Sequence, residues 1–494
     1  MSTHTLQSTL YSGSFGIAKQ ELELAGKLFV SVYIISILFF KPDLSYARFV
    51  FLTKAIVHHG TTALDAVEID SGLSTSEKNV FKGQGYLGPS PGLAIFGMAT
   101  YWPYTVFVQP VLLDSLEISS EQEFRLSQFV MSLSTVAFFA SLTVSLFFLW
   151  LRVMNIPVKR AVFFSLLLFG GTPVVFYTLN LTNGQNILEM AWLFISYFIL
   201  RQVQPHKPKW VWLSGFCAGL AVFVNLSAFL MFPLLILVIY TKLDTKIGIW
   251  WFVGVVSGCI PLLLYNWLSF GNLLPSYSLE FNAGIPYLGL SDAWEVTRDF
   301  LVSPRIGLIF YCPQFLLLVY MLPQVRRLRK HQDFKIILIG CILYLIGISL
   351  ATQAFRLKNN FGDNWYLIQG GGGPRYLLPI VPFLLGAVAS MKQRTLTTAS
   401  LASILSGLAI LINTPGLFWT GGQALFVNNL LLFLKNGYHS YMIDEIQVLL
   451  DGLGINVHNF SLFPALTVLV VVLWWLWQGL PLRSDLIRKN ESKL

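Results

Sequence analysis

The chain has 494 residues, of which 55% are hydrophobic and only 12% are charged, and its mean hydropathy is +0.65. Soluble globular domains average about 45–50% apolar and about 25% charged residues, so this composition excludes a soluble globular enzyme. One helical membrane crossing needs about 20 mainly apolar residues, so the chain is long and apolar enough for about a dozen. The net charge of +9 is therefore read as a topology signal, and no nucleic-acid partner is expected.

The fold class predicted is an all-α polytopic membrane protein with about 12 (11–13) transmembrane helices and short interfacial helices in its outer loops. The spans are predicted at 24–40, 126–151, 161–179, 187–200, 210–225, 228–241, 247–266, 306–323, 336–352, 376–391, 396–412 and 462–480. The apolar segment 91–112 is interpreted as a re-entrant or interfacial element broken by Pro103 and Pro110.

The topology is predicted from the distribution of lysine and arginine residues along the chain. If 91–112 does not cross, the short turns on one side hold most of the 33 Lys and Arg, which the positive-inside rule assigns to the cytoplasm together with both termini. The chain then divides into a tail (1–23), a transmembrane module (24–413) that includes the first outer loop (41–124), an outer loop (414–461) with the length of an acceptor or partner lid, and a last span with a basic tail (462–494). The apolar stretch 24–40 ends without a small-residue cleavage site and is expected to be retained.

The first outer loop carries three carboxylates within six residues: Asp65, Glu68 and Asp70. They follow a helix predicted to lie at the interface and to end at Gly60. Acids held just above the membrane suit a general base beside a lipid-borne substrate. The alternative is a solvated acidic loop.

Polar groups also mark other outer elements. Asn183 and Gln185 lie in a short, uncharged turn that suits hydrogen bonding to a polyol or the satisfaction of helix ends. Glu189 is the sole carboxylate in the middle of a predicted span. Tyr86 and Trp365 have the chemistry for stacking on sugars, although interfacial aromatic belts use the same residue types.

Two lone arginines stand at the outer mouths of spans, Arg305 in Ser303–Pro313 and Arg375 in Gly370–Pro382. A guanidinium beside a helix amino terminus suits phosphate binding, whereas the other interpretation is an Arg that anchors the helix to lipid headgroups. The four cysteines have no metal or disulfide spacing, so no metal site is predicted.

Taken in order, these elements resemble the GT-C superfamily of polyprenyl-phosphate-sugar-dependent glycosyltransferases, particularly the dolichyl-phosphate-mannose protein mannosyltransferase type. The resemblance extends from about Lys41 to Pro382. It rests on Asp65 after a His-Gly-Thr turn, Gly83–Leu93, Gly184-Gln185, Tyr265-Asn266-Trp267 with Phe270-Gly271, Ser303–Leu308 and Gly373–Pro379. The chain departs from the family pattern at Gly88-Pro89-Ser90 and at Gln185, where the family has Asp-Lys-Pro and His.

The resemblance implies an inverting hexosyl- or pentosyltransferase with Asp65 as general base and Glu68 or Asp70 as its substitute. Arg375 and Arg305 would hold the phosphate of a polyprenyl-phosphate-sugar donor. The substrate contacts would come from five residues: Tyr86, Asn183, Gln185, Trp365 and Tyr376.

The acceptor would be a glycan, lipid or protein on the extracytoplasmic face of an inner or plasma membrane. No cofactor is specified, and a divalent metal is left open. The alternative is a transporter or lipid flippase, although these usually carry repeated halves and more ionisable groups near the midplane.

Overall fold

A computed structural model describes most of the chain up to Asn413. The described residues are 18–42, 47–75, 78–88, 90–111, 119–181, 183–202, 207–243, 245–273, 290–304, 306–320, 332–358, 374–391 and 396–413. Within them the protein is almost entirely helical, with one two-stranded sheet. The predicted last span (462–480) and the loop 414–461 lie outside the described residues.

The first half of the chain contains a long first helix and a compact outer loop followed by paired helices. Its elements are α1 (Lys19–Leu38), α2 (Arg48–His59), α3 (Asp65–Ser71), β1 (Lys78–Phe81), β2 (Gln84–Leu87), α4 (Gly92–Pro103) with a π-helical turn (Tyr104–Val108), α5 (Ser120–Ser134), α6 (Val136–Val153), α7 (Val158–Gly170), α8 (Val174–Thr178), α9 (Gln185–Gln202) and α10 (Pro208–Val224).

The second half continues the bundle with several interrupted helices. Its elements are a 3-10 turn (Leu226–Met231), α11 (Phe232–Lys242), α12 (Thr245–Phe270), α13 (Leu290–Val302), α14 (Leu308–Tyr311), a 3-10 turn (Pro313–Phe315), α15 (Leu316–Tyr320), α16 (Gln332–Lys358), a 3-10 turn (Arg375–Ile380), α17 (Val381–Ser390) and α18 (Leu396–Asn413).

In the part of the chain that the structure describes, three helical stretches are long and apolar enough to cross a membrane: Ser120–Val153, Ile247–Phe270 and Phe334–Ala354. Four shorter apolar helices accompany them: Pro208–Val224, Leu226–Thr241, Arg375–Ser390 and Ala399–Asn413. The twelve predicted spans are therefore not confirmed.

Several of the predicted spans are not single continuous α-helices, and two examples show why. The segment 161–179 breaks after Gly170 and resumes as α8, and the segment 306–323 divides at Pro313. A proline lacks the N–H needed in a helix interior, so an apolar run that contains it need not be one continuous helix.

Helix directions follow from long-range contacts. The Tyr33 hydroxyl of α1 donates to the Leu133 carbonyl at 3.0 Å, whereas Arg152 Nε of α6 donates to Glu21 Oε1 at 2.8 Å. The end of α1 thus lies beside the start of α6, and the two helices are antiparallel. We call the end of the bundle that holds Arg152 the basic end. The opposite end, where α9 begins and α10 ends, is called the site end.

Helices α10 and α12 are packed backbone to backbone. A Cβ on Gly219 would lie 2.8 Å from the Cα of Gly258, while Gly215 faces Trp251 and Gly254. Glycine spacing of this kind lets two helices approach more closely than other side chains allow. Because residue numbers rise together along the contact, the helices are parallel. The chain must therefore reverse in α11, as the hairpin predicted around Asn225 requires.

The outer loop after α1 folds into helices and a hairpin. Helix α2 ends at Gly60, whose φ of 62° is the left-handed conformation that favours glycine and confirms the predicted stop. The β1–β2 pairing of Lys78 with Leu87 and of Phe81 with Gln84 was not predicted. Its four-residue strands are too short to give a clear alternating pattern.

The apolar segment 91–112 was expected to be broken by Pro103 and Pro110. Regular α-helix does end at Pro103, but the chain stays helical as far as Val111. Helix α4 continues through Pro103 into the π-helical turn Tyr104–Val108, which accommodates the missing N–H. Gly97 packs on Met131, and the Thr100 hydroxyl donates to the Val130 carbonyl at 2.6 Å. The segment thus packs on α5, before α6 begins.

Candidate functional site

Asp65 is the first residue of α3 and faces the turn between β1 and β2. Its Oδ2 accepts a hydrogen bond of 2.7 Å from Gly85 N, and its Oδ1 lies 3.9 Å from Lys78 Nζ. The Leu64 N–H also donates to the Gly85 carbonyl at 2.8 Å, so the hairpin fixes the start of α3 from both sides. The Asp65 side chain is still 39% exposed, which leaves the carboxylate accessible.

The other two predicted acids are occupied by structural contacts. Glu68 is largely buried, pairs with Lys78 Nζ and accepts from Thr75 N at 3.1 Å. Asp70 lies 3.2 Å from His59 Nε2. Of the three carboxylates, Asp65 therefore has the geometry that best suits a reacting group.

Arg375 begins the 3-10 turn at the site end and is buried. Its guanidinium donates to Asn183 Oδ1 and, at 2.8 Å, to the Tyr376 hydroxyl, and it lies 4.6 Å from the centre of the Tyr376 ring. Its Nε has no hydrogen-bond partner, and among the described residues no carboxylate forms an ion pair with it. A buried cation with only neutral partners is a site for an anion.

The start of α9 adds polar groups to the same end. Gln185 is buried, and its Oε1 has no hydrogen-bond partner within the described ranges of the chain; the same is true of Asn186 Oδ1. Unsatisfied buried acceptors are uncommon in proteins and are explained when a hydroxyl-bearing ligand donates to them. Asn183 and Arg375, which were predicted separately, are thus brought together beside Gln185.

Glu189 is fully buried and joins two elements. Its Oε2 accepts from Asn225 Nδ2 at 2.8 Å and Asn186 Nδ2 at 3.3 Å, and its Oε1 accepts from the Ser227 hydroxyl at 2.7 Å. Glu189 was predicted from the sequence as a candidate, but its partners in the break after α10 were not. The signal for them was an Asn and a Ser between two apolar runs.

One segment links the two parts of the site. Gly85 binds Asp65 at one end, and at the other a Cβ on Gly92 would lie 2.7 Å from the Cα of Val224, the residue before Asn225. Between them the Leu87 carbonyl accepts from the Tyr265 hydroxyl at 3.2 Å. The segment 85–92 thus connects the acid to the polar site end.

Tyr86 lies in this segment but is turned inward. Its ring lies 5.5 Å from that of Phe270, and its hydroxyl donates to Gln84 Oε1 at 2.7 Å. With the side chain buried, the ring supports the hairpin and offers little free face for a sugar. Arg305 and Trp365 lie outside the described residues.

A second ionic network lies between α2, α4 and α5. Lys54 pairs with Glu123 and lies 4.0 Å from the centre of the Phe124 ring. His58 Nε2 lies 3.0 Å from the Tyr101 hydroxyl. Burial lowers the pKa of Lys54, and burial together with the nearby Lys54 ammonium lowers the pKa of His58. No group of three or more metal-ligating side chains occurs in the described part of the chain.

Comparison with known proteins gives one match. Residues 119–265 match the family model described as dolichyl-phosphate-mannose-protein mannosyltransferase. The predicted family resemblance is confirmed. The matched stretch runs from the residue before α5 into α12 and includes the polar start of α9 and the Asn225 turn. No curated protein and no solved structure matches the chain.

This mannosyltransferase match supports, at a coarse level, a membrane glycosyltransferase that uses a polyprenyl-phosphate sugar and a glycan or protein acceptor. Together with the apolar helices it indicates an integral membrane protein. Asp65 and Arg375 lie outside the matched residues, so their roles rest on the geometry around them.

Proposed function

We propose that the protein transfers a hexosyl or pentosyl group from a polyprenyl-phosphate carrier to an acceptor hydroxyl on the extracytoplasmic face of the membrane. The single observation that carries the proposal is the buried Arg375 guanidinium, which among the described residues has neutral partners only and an unused Nε. The mannosyltransferase match supplies the class of donor that would bring an anion to it.

The proposed reaction is a single inverting displacement. The Asp65 carboxylate accepts the proton of the acceptor hydroxyl, whose oxygen attacks the anomeric carbon of the sugar. The bond between that carbon and the phosphate oxygen breaks, and its electron pair leaves with the lipid phosphate. Arg375 stabilises the negative charge that grows on the departing phosphate.

The polar start of α9 would hold the sugar. Gln185 Oε1 and Asn186 Oδ1 are buried acceptors, so sugar hydroxyls can donate to both. Asn183 would position Arg375 through its hydrogen bond to the guanidinium. A donor anchored in lipid explains why these groups lie where the apolar helices end.

The phosphate role is tested with Arg375→Ala and Arg375→Lys in proteoliposomes supplied with radiolabelled polyprenyl-phosphate sugars. Loss of a charge-assisted bidentate contact lowers transfer by about 10²–10³, and lysine restores only part of it because it lacks the planar fork. Arg298→Ala is the matched control, since Arg298 is 57% exposed on α13. Transfer at the normal rate by Arg375→Ala would overturn the proposal.

The role of the base is tested with Asp65→Asn and, as its control, Asp70→Asn. Removing a general base lowers the turnover number by about 10²–10⁴, while donor binding is kept. If Asp65→Asn is fully active, Asp43→Asn is the next variant. Asp43 is the acid closest in sequence to Lys41, whose backbone contacts the turn that carries Asn183.

A transporter is the second candidate, and the same preparation tests it. Movement of a labelled polyprenyl-phosphate lipid between leaflets, without any sugar transfer to water-accessible acceptors, would favour that function. Glu189 is fully buried and accepts three hydrogen bonds. This arrangement favours a structural role for Glu189 over a place on a transport path through the bundle.

A further inference from the structure

Lys41 follows the first helix, and its backbone contacts the 179–184 turn, whose Asn183 binds Arg375. Its backbone N–H donates to the Leu179 carbonyl at 2.8 Å. Four residues further on, Asn183 accepts from the Arg375 guanidinium. Four residues span at most about 14 Å even when fully extended. Here the chain is folded back by the Gly184 N–H, which donates to the Leu181 carbonyl at 3.1 Å.

The Lys41 ammonium is closed off from solvent and has no hydrogen-bond partner in the described part of the protein. Burial alone lowers its pKa well below the usual range of a lysine. A buried charge of this kind is unfavourable unless something pairs with it, and lysines are almost never fully buried without a partner. An apolar side chain at this position would not carry the desolvation penalty of an ammonium.

We propose that Lys41 is a second phosphate-binding cation, which holds the oxyanion of a membrane lipid at the 179–184 turn beside Arg375. The inference rests on the proposed function for its donor, but it concerns a residue that neither the family match nor the catalytic scheme uses. An ammonium is a compact charge with three donors, whereas the Arg375 fork is planar, so the two contact a phosphate in different ways. The lipid is either the polyprenyl-phosphate carrier or a phospholipid of the bilayer.

The test compares Lys41→Met with the wild-type protein in nanodiscs, with Lys82→Met as the matched control. Lys82 is an exposed lysine in the β1–β2 turn of the same outer loop. Two quantities are measured: the thermal midpoint without added lipid phosphate, and the dissociation constant for radiolabelled polyprenyl phosphate in phosphatidylcholine discs. The thermal measurement is repeated in discs that contain phosphatidylglycerol.

We expect Lys41→Met to raise the thermal midpoint without ligand, since it removes a solvent-shielded charge that has no partner among the described residues. Binding of polyprenyl phosphate should weaken at least about tenfold, the loss expected for one hydrogen bond to a charged group. This result assigns the site to the carrier lipid. If binding is unchanged but stabilisation by phosphatidylglycerol disappears, the site takes a bilayer phospholipid.

The inference is overturned if neither lipid loses affinity for Lys41→Met. It is also overturned if the variant is less stable than the wild type without ligand, because Lys41 would then have a structural role. These outcomes differ from failure of the proposed function, which is decided by sugar transfer in Arg375→Ala and does not depend on Lys41.

Discussion

Two replacements of Glu189 distinguish a structural role of its carboxyl from a functional one. Glu189→Ala would leave the side-chain amides of Asn186 and Asn225 and the Ser227 hydroxyl without their acceptor. Glu189 and Asn186 have no exposure to solvent, and Asn225 and Ser227 are half-buried. The hydroxyl can rotate to another acceptor, but the two amides cannot easily do so. At about 1–3 kcal/mol for each unsatisfied buried donor, together with the cavity, the free energy of unfolding should fall by about 3–5 kcal/mol.

Glu189→Gln should be far milder. Its amide oxygen can replace Oε2 as acceptor for both asparagines, and its NH₂ group can donate to Ser227, whose hydroxyl both donates and accepts. We expect a loss below about 1.5 kcal/mol. The stability of each variant is read from denaturation by dodecyl sulfate in mixed micelles, and sugar transfer is measured on the same preparations. Glu121→Gln, at a side chain 51% exposed, is the control.

Equal loss of activity in Glu189→Gln and Glu189→Ala, with stability unchanged in the first, would refute this reasoning. A proton or cation path needs the ionisable carboxyl itself, which glutamine cannot supply. That result would therefore assign the ionisable carboxyl of Glu189 a role in sugar transfer itself.

Three further predictions test the packing and the loop. Gly219→Ala places a Cβ against the Val255 carbonyl oxygen and 2.8 Å from the Gly258 Cα, both in α12, and should lower stability by about 1–3 kcal/mol in thermal assays. Gly26→Ala, with open space around it, should be neutral or stabilising. Gly85→Ala places a Cβ 3.1 Å from Oδ1 of the proposed base and should lower the turnover number about tenfold or more while the protein remains folded. The pKa of His58 is lowered in the folded protein, so below about pH 6.5 the unfolded state binds more protons than the folded state. Stability should therefore fall as the pH drops through that range. His58→Gln should make the thermal midpoint less dependent on pH in melts at about pH 4.5–7.

The sequence predicted features that depend on local chemistry. Gly60 ends α2 because a left-handed residue is needed there, and Arg375 stands where a helical segment begins. The chain reversal around Asn225 was predicted from basic turns on both flanks, and the parallel contact of α10 with α12 agrees with it. Each of these signals lies within a few residues of the feature.

The features that were missed depend on contacts between distant residues. The hydrogen bond between Asp65 and Gly85 spans 20 positions, and that between Glu189 and Asn225 spans 36. The periodicity of apolar residues in the sequence does not indicate which distant residues form such hydrogen bonds. Helix breaks were missed for another reason: hydropathy averages over about 19 residues, so it does not respond to a single residue such as Pro313.

The polar groups at the site end differ in what they contribute to the fold. The three donors around Glu189 satisfy its oxygens and tie α9 to the turn after α10, so this carboxyl stabilises the scaffold. Arg375 is buried, and the ammonium of the half-buried Lys41 is shielded from solvent; neither has a carboxylate partner among the described residues. Replacing such charges by apolar groups is often stabilising. Mutations should therefore act in opposite directions: removing Glu189 lowers both stability and activity, whereas removing Lys41 raises stability and lowers lipid-phosphate binding. A preorganised site requires both the scaffold carboxyl and the cations. Without a rigid scaffold, the side chains of Lys41 and Arg375 would turn toward water before a ligand binds.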